Sequence, residues 1–166
     1  MSKKEWEDIL FLNAHSIPTI LLINAGGPIE LTDVLEKAEN VKDVLNISQL
    51  GQEGGHAVVD VLLGKVVPGG KLTSTWAKRY EDYPYADTFG CLNGNIQYDE
   101  YKEGIYVGYR YFDSFGVEPL FPFGYGLSYT TFAMKFIELR VKKRSVELDV
   151  QVENTGDSYA GSVAYI

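Results

Sequence analysis

The run Gly51-Gln52-Glu53-Gly54-Gly55 sets one carboxylate among three glycines, a backbone that a ligand can approach closely. Glu53 is therefore the one candidate substrate-binding residue. A second reading competes with it: a Glu at the start of a helix, favoured by the helix dipole, with the glycines there for tight packing. The second reading is preferred. A phosphate cradle is not expected, because no Lys-Ser/Thr pair follows and no GxGxxG occurs. The two histidines, His15 and His56, cannot build a zinc site without carboxylates, and Cys91 stands alone, so no disulfide and no thiolate metal centre is expected. Cys91 also lacks a basic neighbour that would activate it. The expectation is no metal and no cofactor.

The other chemistry-bearing set is aromatic. Residues 80–131 hold 15 of the 22 Trp, Tyr and Phe residues, with Gly and Pro throughout. Rings can stack on the C–H faces of sugars, so a carbohydrate platform is one reading. The other, which is preferred, is that Tyr106, Tyr109, Tyr111, Phe121, Phe123 and Tyr125 anchor an ordered segment by packing. Arg110 among these tyrosines fits a cation–π contact as well as a substrate contact.

Stepping out to the elements, three compositions follow one another. Residues 1–79 read as α/β: an amphipathic helix over Lys3–Ala14, a strand over 17–23 ending at Asn24-Ala25-Gly26-Gly27-Pro28, and a short helix over 32–39 capped by Thr32. A weaker strand over 41–47, a helix over 56–63 closed by Gly64, and a strand over 71–76 complete it. The first strand is apolar throughout, which predicts cover on both faces, as in a parallel sheet. Residues 80–131 read as an extended aromatic connector. Residues 132–166 alternate strictly: Val146, Leu148, Val150 and Val152 against Glu147, Asp149, Gln151 and Glu153, with Ile137, Leu139 and Val141 in the strand before. A third strand is expected over 161–166. The fold class is thus α/β: a partial α/β sandwich with a short parallel-type sheet, an aromatic-rich connector, then an incomplete antiparallel β-sandwich.

The formal charge of -8 over 166 residues argues against nucleic acid and anionic membrane surfaces as partners. Lys142-Lys143-Arg144 reads as a solvated turn, and no run reaches the ~18 apolar residues of a membrane span.

Taken in order, Ile20 to Pro28, Gly51 to Gly55, Pro68-Gly69-Gly70-Lys71-Leu72, Glu103 to Asp113 and Pro119 to Phe132 resemble the C-terminal part of glycoside hydrolase family 3, the β-glucosidase family. The tail around Val152–Asp157 is similar to the start of that family's fibronectin type III-like domain. The resemblance implies a retaining hydrolase acting on terminal β-linked sugars of oligosaccharides or glucosides with two carboxylates ~5–5.5 Å apart. It also implies that the nucleophile lies on a (β/α)8 barrel that these residues do not contain, supplied in cis or in trans. The family's acid/base motif matches no residue here, so the chain alone is expected to be inactive. One subunit of a split glycosidase, and a non-catalytic carbohydrate-binding or structural module, are the alternative readings. Self-association through an uncovered β-sandwich face is expected. The lone Cys and lack of a signal-like start suggest the cytoplasm, or secretion if a signal lies elsewhere.

Overall fold

The computed structural model describes residues 1–90 and 94–158; Cys91 and the strand expected over 161–166 lie outside the described residues. The chain is mixed α/β, with one two-stranded parallel sheet and one two-stranded antiparallel sheet. It divides into two compact units. One comprises Met1–Glu53 with Leu72–Tyr125, the other Gly54–Lys71 with Gly126–Ile166.

In the first unit, helix α1 (Lys3–Ala14) begins at a capping box. The Ser2 hydroxyl accepts from the Glu5 N–H at 3.3 Å, and the Glu5 carboxylate accepts from the Ser2 N–H at 2.6 Å. Strand β1 (Thr19–Ile23) runs parallel to β2 (Val41–Asn46), with helix α2 (Thr32–Lys37) as the crossover between them. Ile9, Val34 and Ala38 make one core cluster; Ile23, Leu31 and Trp76 make another, and Leu21 packs against both. The other face of β1 is open: Ile20 is 49% and Leu22 40% exposed. The expectation of cover on both faces therefore fails. Both helices that flank this sheet in the first unit serve the Leu21–Ile23 side.

The N-cap of α2 is Leu31, with no side-chain cap. Thr32 was expected there; its buried hydroxyl instead donates to the Lys78 carbonyl at 2.6 Å. Residues 71–76 form no strand. Leu72 and Trp76 pair at single points with Tyr125 and Phe121 (N–H to carbonyl, 2.8 Å each), and Pro122, lacking an N–H, sits between those partners. The connector is not extended throughout either. Helix α4 (Tyr109–Phe115) lies inside it, entered at Gly108 with φ 59° and left at Gly116 with φ 66°, conformations that favour glycine. Its Phe112 is buried.

In the second unit, helix α3 (Gly54–Leu62) ends where the Gly64 N–H, at φ 70°, donates to the Val61 carbonyl. The Tyr129 hydroxyl donates to the same carbonyl at 3.1 Å. Strands β3 (Phe132–Val141) and β4 (Val146–Asn154) pair antiparallel across the Lys142–Ser145 turn. A bulge between Phe136 and Glu138 shifts the register, so Met134, Phe136, Leu139 and Val141 stand opposite Val152, Val150, Leu148 and Val146. The expected apolar row through Ile137 is thereby redirected. Arg140 bridges Glu138, Glu147 and Asp149. After β4, the Asn154 carboxamide oxygen accepts from the Gly156 N–H at 3.1 Å, the turn expected from Asn154-Thr155-Gly156-Asp157.

Candidate functional site

Glu53 is exposed in the turn that leads into α3. A Cβ at Gly51 or Gly55 would meet nothing within 4 Å, so close packing does not require glycine there; of the run, only Gly54 is buried. The packing half of the preferred reading is thus left to Gly54. Two concave regions lie instead in the first unit.

The first is a small polar recess of about 70 Å³ at the carboxyl ends of β1 and β2. Gly26 and Gly27 approach it from β1, Asn46 and Ser48 from β2, and Thr73 and Ser74 close it. Ser48 has φ 49°, and the Gln49 carboxamide stands 3.5 Å from the position of a Cβ on Gly26. Parallel sheets present ligand crevices at this edge. A space of this size suits ordered water and not a pyranose ring.

The second is a cleft of about 470 Å³ lined by Tyr80, Tyr83, Tyr85, Tyr111, Glu81 and Asp87, with Ala86 on its wall. A 3₁₀ turn (Tyr80–Asp82) builds one side, and Tyr111 comes from α4. The turn is tied down at several points. The Arg79 guanidinium donates to Glu30 at 2.9 Å and to Asp33 at 3.0 Å, the Tyr80 N–H donates to Glu30 at 3.1 Å, and the Arg79 N–H donates to Asp82 at 2.9 Å. The Arg79 hydrogen bond, helped by Lys37, holds the Asp33 carboxyl below its usual range, and Asp33 in turn raises the Arg79 guanidinium. The Tyr83 hydroxyl accepts from the Ala77 N–H at 3.1 Å and donates to the Thr75 carbonyl at 3.2 Å; burial pushes its phenol up, against the opposing pull of that N–H. Lys102 is held above its usual value by Glu100, 2.8 Å away, and lies within electrostatic reach of Asp87 and Tyr85.

The remaining aromatics pack mainly on one another. Tyr106 meets Phe115 at 5.1 Å between centroids, Tyr109 meets Phe123 at 5.2 Å, and Phe121 meets Tyr125 at 5.0 Å. Arg110 lies 5.9 Å from the centre of the Tyr109 ring. Five of the six rings read as anchors are thus in such contacts, and the sixth, Tyr111, meets Phe112 at 5.7 Å and Phe115 at 5.1 Å. Sequence reasoning missed the Arg79 fork and the gathering of residues 80–87 into a cleft. The only local signal was the alternation of tyrosines with Glu81, Asp82 and Asp87. Among the described residues, no group of three or more His, Cys, Asp or Glu side chains could hold a metal ion.

Residues 2–129 match the model of the glycosyl hydrolase family 3 C-terminal domain. The chain belongs to that family. A β-glucosidase of Kluyveromyces marxianus is 38% identical over 144 residues, which is 87% of this chain and 16% of the yeast enzyme. The thermostable β-glucosidase B of Acetivibrio thermocellus is 41% identical over 143 residues, 82% of this chain and 18% of that protein. Among solved structures, β-glucosidase 3B of Thermotoga neapolitana in complex with α-D-glucose superposes with a TM-score of 0.81 at 39% identity, covering 94% of this chain and 22% of that one. The family 3 chain described here therefore spans about a fifth of the length of the relatives it matches.

Proposed function

We propose that the chain is the C-terminal α/β part of a retaining, β-glucosidase-type glycoside hydrolase, and that it does not turn over substrate alone. The observation that carries this reading is the family 3 match over residues 2–129, with relatives named β-glucosidases. Hydrolysis with retention needs two carboxylates ~5–5.5 Å apart, one as nucleophile and one as acid/base. Under this reading a (β/α)8 barrel, in cis or in trans, brings the nucleophile, and the substrate is a terminal β-linked glucoside. The open face of β1 agrees with it, since strands of parallel sheets are normally buried on both sides and Ile20 and Leu22 call for further cover. The β3–β4 hairpin, with one apolar and one charged face, agrees with the start of a fibronectin type III-like sandwich.

The test is association with a separately expressed family 3 barrel domain, followed by size-exclusion chromatography. Co-elution, weakened by Ile20→Asp or Leu22→Asp, is the expected result. Separate elution at all concentrations would overturn the reading of an α/β part that docks on a barrel.

A further inference from the structure

The tyrosine-lined cleft of the first unit carries groups that the fold does not use. Its scaffold is fully engaged: Arg79 with Glu30 and Asp33, Asp82 with the Arg79 N–H, and the Tyr83 hydroxyl with Ala77 and Thr75. Other groups line the cleft. Among the described residues, the carboxylates of Glu81 and Asp87 and the hydroxyls of Tyr80, Tyr85 and Tyr111 make no hydrogen bond. Tyr80 and Tyr85 are 45% and 46% exposed. Tyr85 is also held at φ 56°, a left-handed backbone that is unfavourable for a bulky side chain. The Thr88 N–H, donating to the Tyr85 carbonyl at 3.0 Å, closes the turn that keeps it there.

We propose that this cleft is a saccharide-binding site, in which Tyr80 and Tyr85 stack on the C–H faces of a pyranoside while Glu81 and Asp87 accept hydrogen bonds from its hydroxyls. The volume, about 470 Å³, lies within the ~300–1,000 Å³ of small-molecule sites and admits one or two sugar rings. The charge pattern selects the ligand class. Two carboxylates repel phosphates and carboxylates. Tyrosines and carboxylates together would also attract an organic cation, but the Lys102 ammonium, near Asp87 and Tyr85, opposes a second positive charge. A neutral polyhydroxylated ring satisfies both: its apolar faces meet the phenols, and its donors meet acceptors that make no hydrogen bond among the described residues. The site uses no barrel residue, so it goes beyond the proposed hydrolase role and is tested without it.

The experiment is an NMR titration of the full chain with cellobiose, with methyl β-D-glucopyranoside and, separately, with tetramethylammonium, read on the tyrosine ring signals. Tyr85→Gly and Asp87→Asn are the variants. Glycine accepts the positive φ, so Tyr85→Gly removes the ring while relieving the backbone, and unchanged circular dichroism checks the fold of each. Saturable shifts of Tyr80, Tyr85 and Tyr111 with cellobiose, with a Kd of about 1–10 mM, weakened at least tenfold in both variants, are expected. Unmoved ring signals, shifts that persist unchanged in the variants, or saturation by tetramethylammonium and not by sugar would each overturn the proposal.

Discussion

A Cβ on Gly126 would stand 2.7 Å from the carbonyl oxygen of Gly70, closer than real side chains approach backbone oxygen. The Lys71 side chain crowds the same position at 3.0 Å, and its ammonium donates to the Gly126 carbonyl. The close approach of 68–71 to 126 thus depends on the missing side chain. Gly126→Ala is expected to destabilise the second unit by about 1–3 kcal/mol, the usual cost of forced overpacking. A urea melt followed by circular dichroism measures it. Gly55→Ala, in open space within α3, serves as the control and should be neutral or slightly stabilising.

Phe112 is 2% exposed and meets Tyr83 at 5.8 Å and Tyr111 at 5.7 Å, both edge-on. Phe112→Ala should cost about 3–5 kcal/mol, a large part of the stability of an ordinary domain. Phe115, three residues on and 59% exposed, should tolerate the same change with a much smaller loss. Equal losses in thermal melts of the two variants would mean that α4 is not seated as described.

The Asp33–Arg79 pair has a definite pH signature. Asp33 has a lowered folded pKa, so its contribution is present above the unfolded value and disappears as pH falls through the folded one. The window is the acid limb below about pH 4. Melting temperature in the parent should therefore fall more steeply between pH 5 and pH 2.5 than in Arg79→Met, and the difference should shrink in ~1 M salt because both partners are exposed. Parallel pH profiles would contradict the pairing.

On the hairpin, Met134, Phe136 and Val141 of β3 and Val146 of β4 are mostly exposed, on the same face of the pair. Contiguous apolar patches of this kind promote association. The chain is expected to self-associate with rising concentration in sedimentation velocity, and Phe136→Lys with Val146→Lys should shift it toward monomer. A parent that stays monomeric at ~100 μM would show that this face needs no cover.

These results also indicate what the residues announce. Helix α1, the parallel β1–β2 pair and the β3–β4 hairpin were legible, because each rests on local periodicity and turn chemistry. Helix α4 was not. Its seven residues include four aromatics, which are poor helix formers, and its boundaries are set by the positive φ of Gly108 and Gly116, which looked like two more glycines in a glycine-rich connector. The role of Thr32 was hidden because its partner, Lys78, lies 46 residues away. The Arg79 fork was hidden for the same reason, with partners 46 and 49 residues distant. The bulge that redirects the apolar row at Ile137 leaves the alternation of β4 intact and so cannot be read from it. Glu53, the one candidate site residue, was identified by its glycine setting, yet neither the polar recess nor the tyrosine-lined cleft includes it. The cleft over residues 80–87 combines a turn tied to Glu30 and Asp33 with Tyr111 of α4, segments far apart along the chain.

The central claim is that this chain is one part of a composite glycosidase and carries neither of the reacting carboxylates. The decisive measurement is hydrolysis of a chromogenic aryl β-glucoside by the purified chain alone and mixed with the remaining part of a family 3 enzyme, which brings both the barrel nucleophile and the acid/base. The account predicts no turnover by the chain alone and turnover in the mixture. Turnover by the chain alone, abolished by Glu53→Gln or by another of its own carboxylate substitutions, would contradict it.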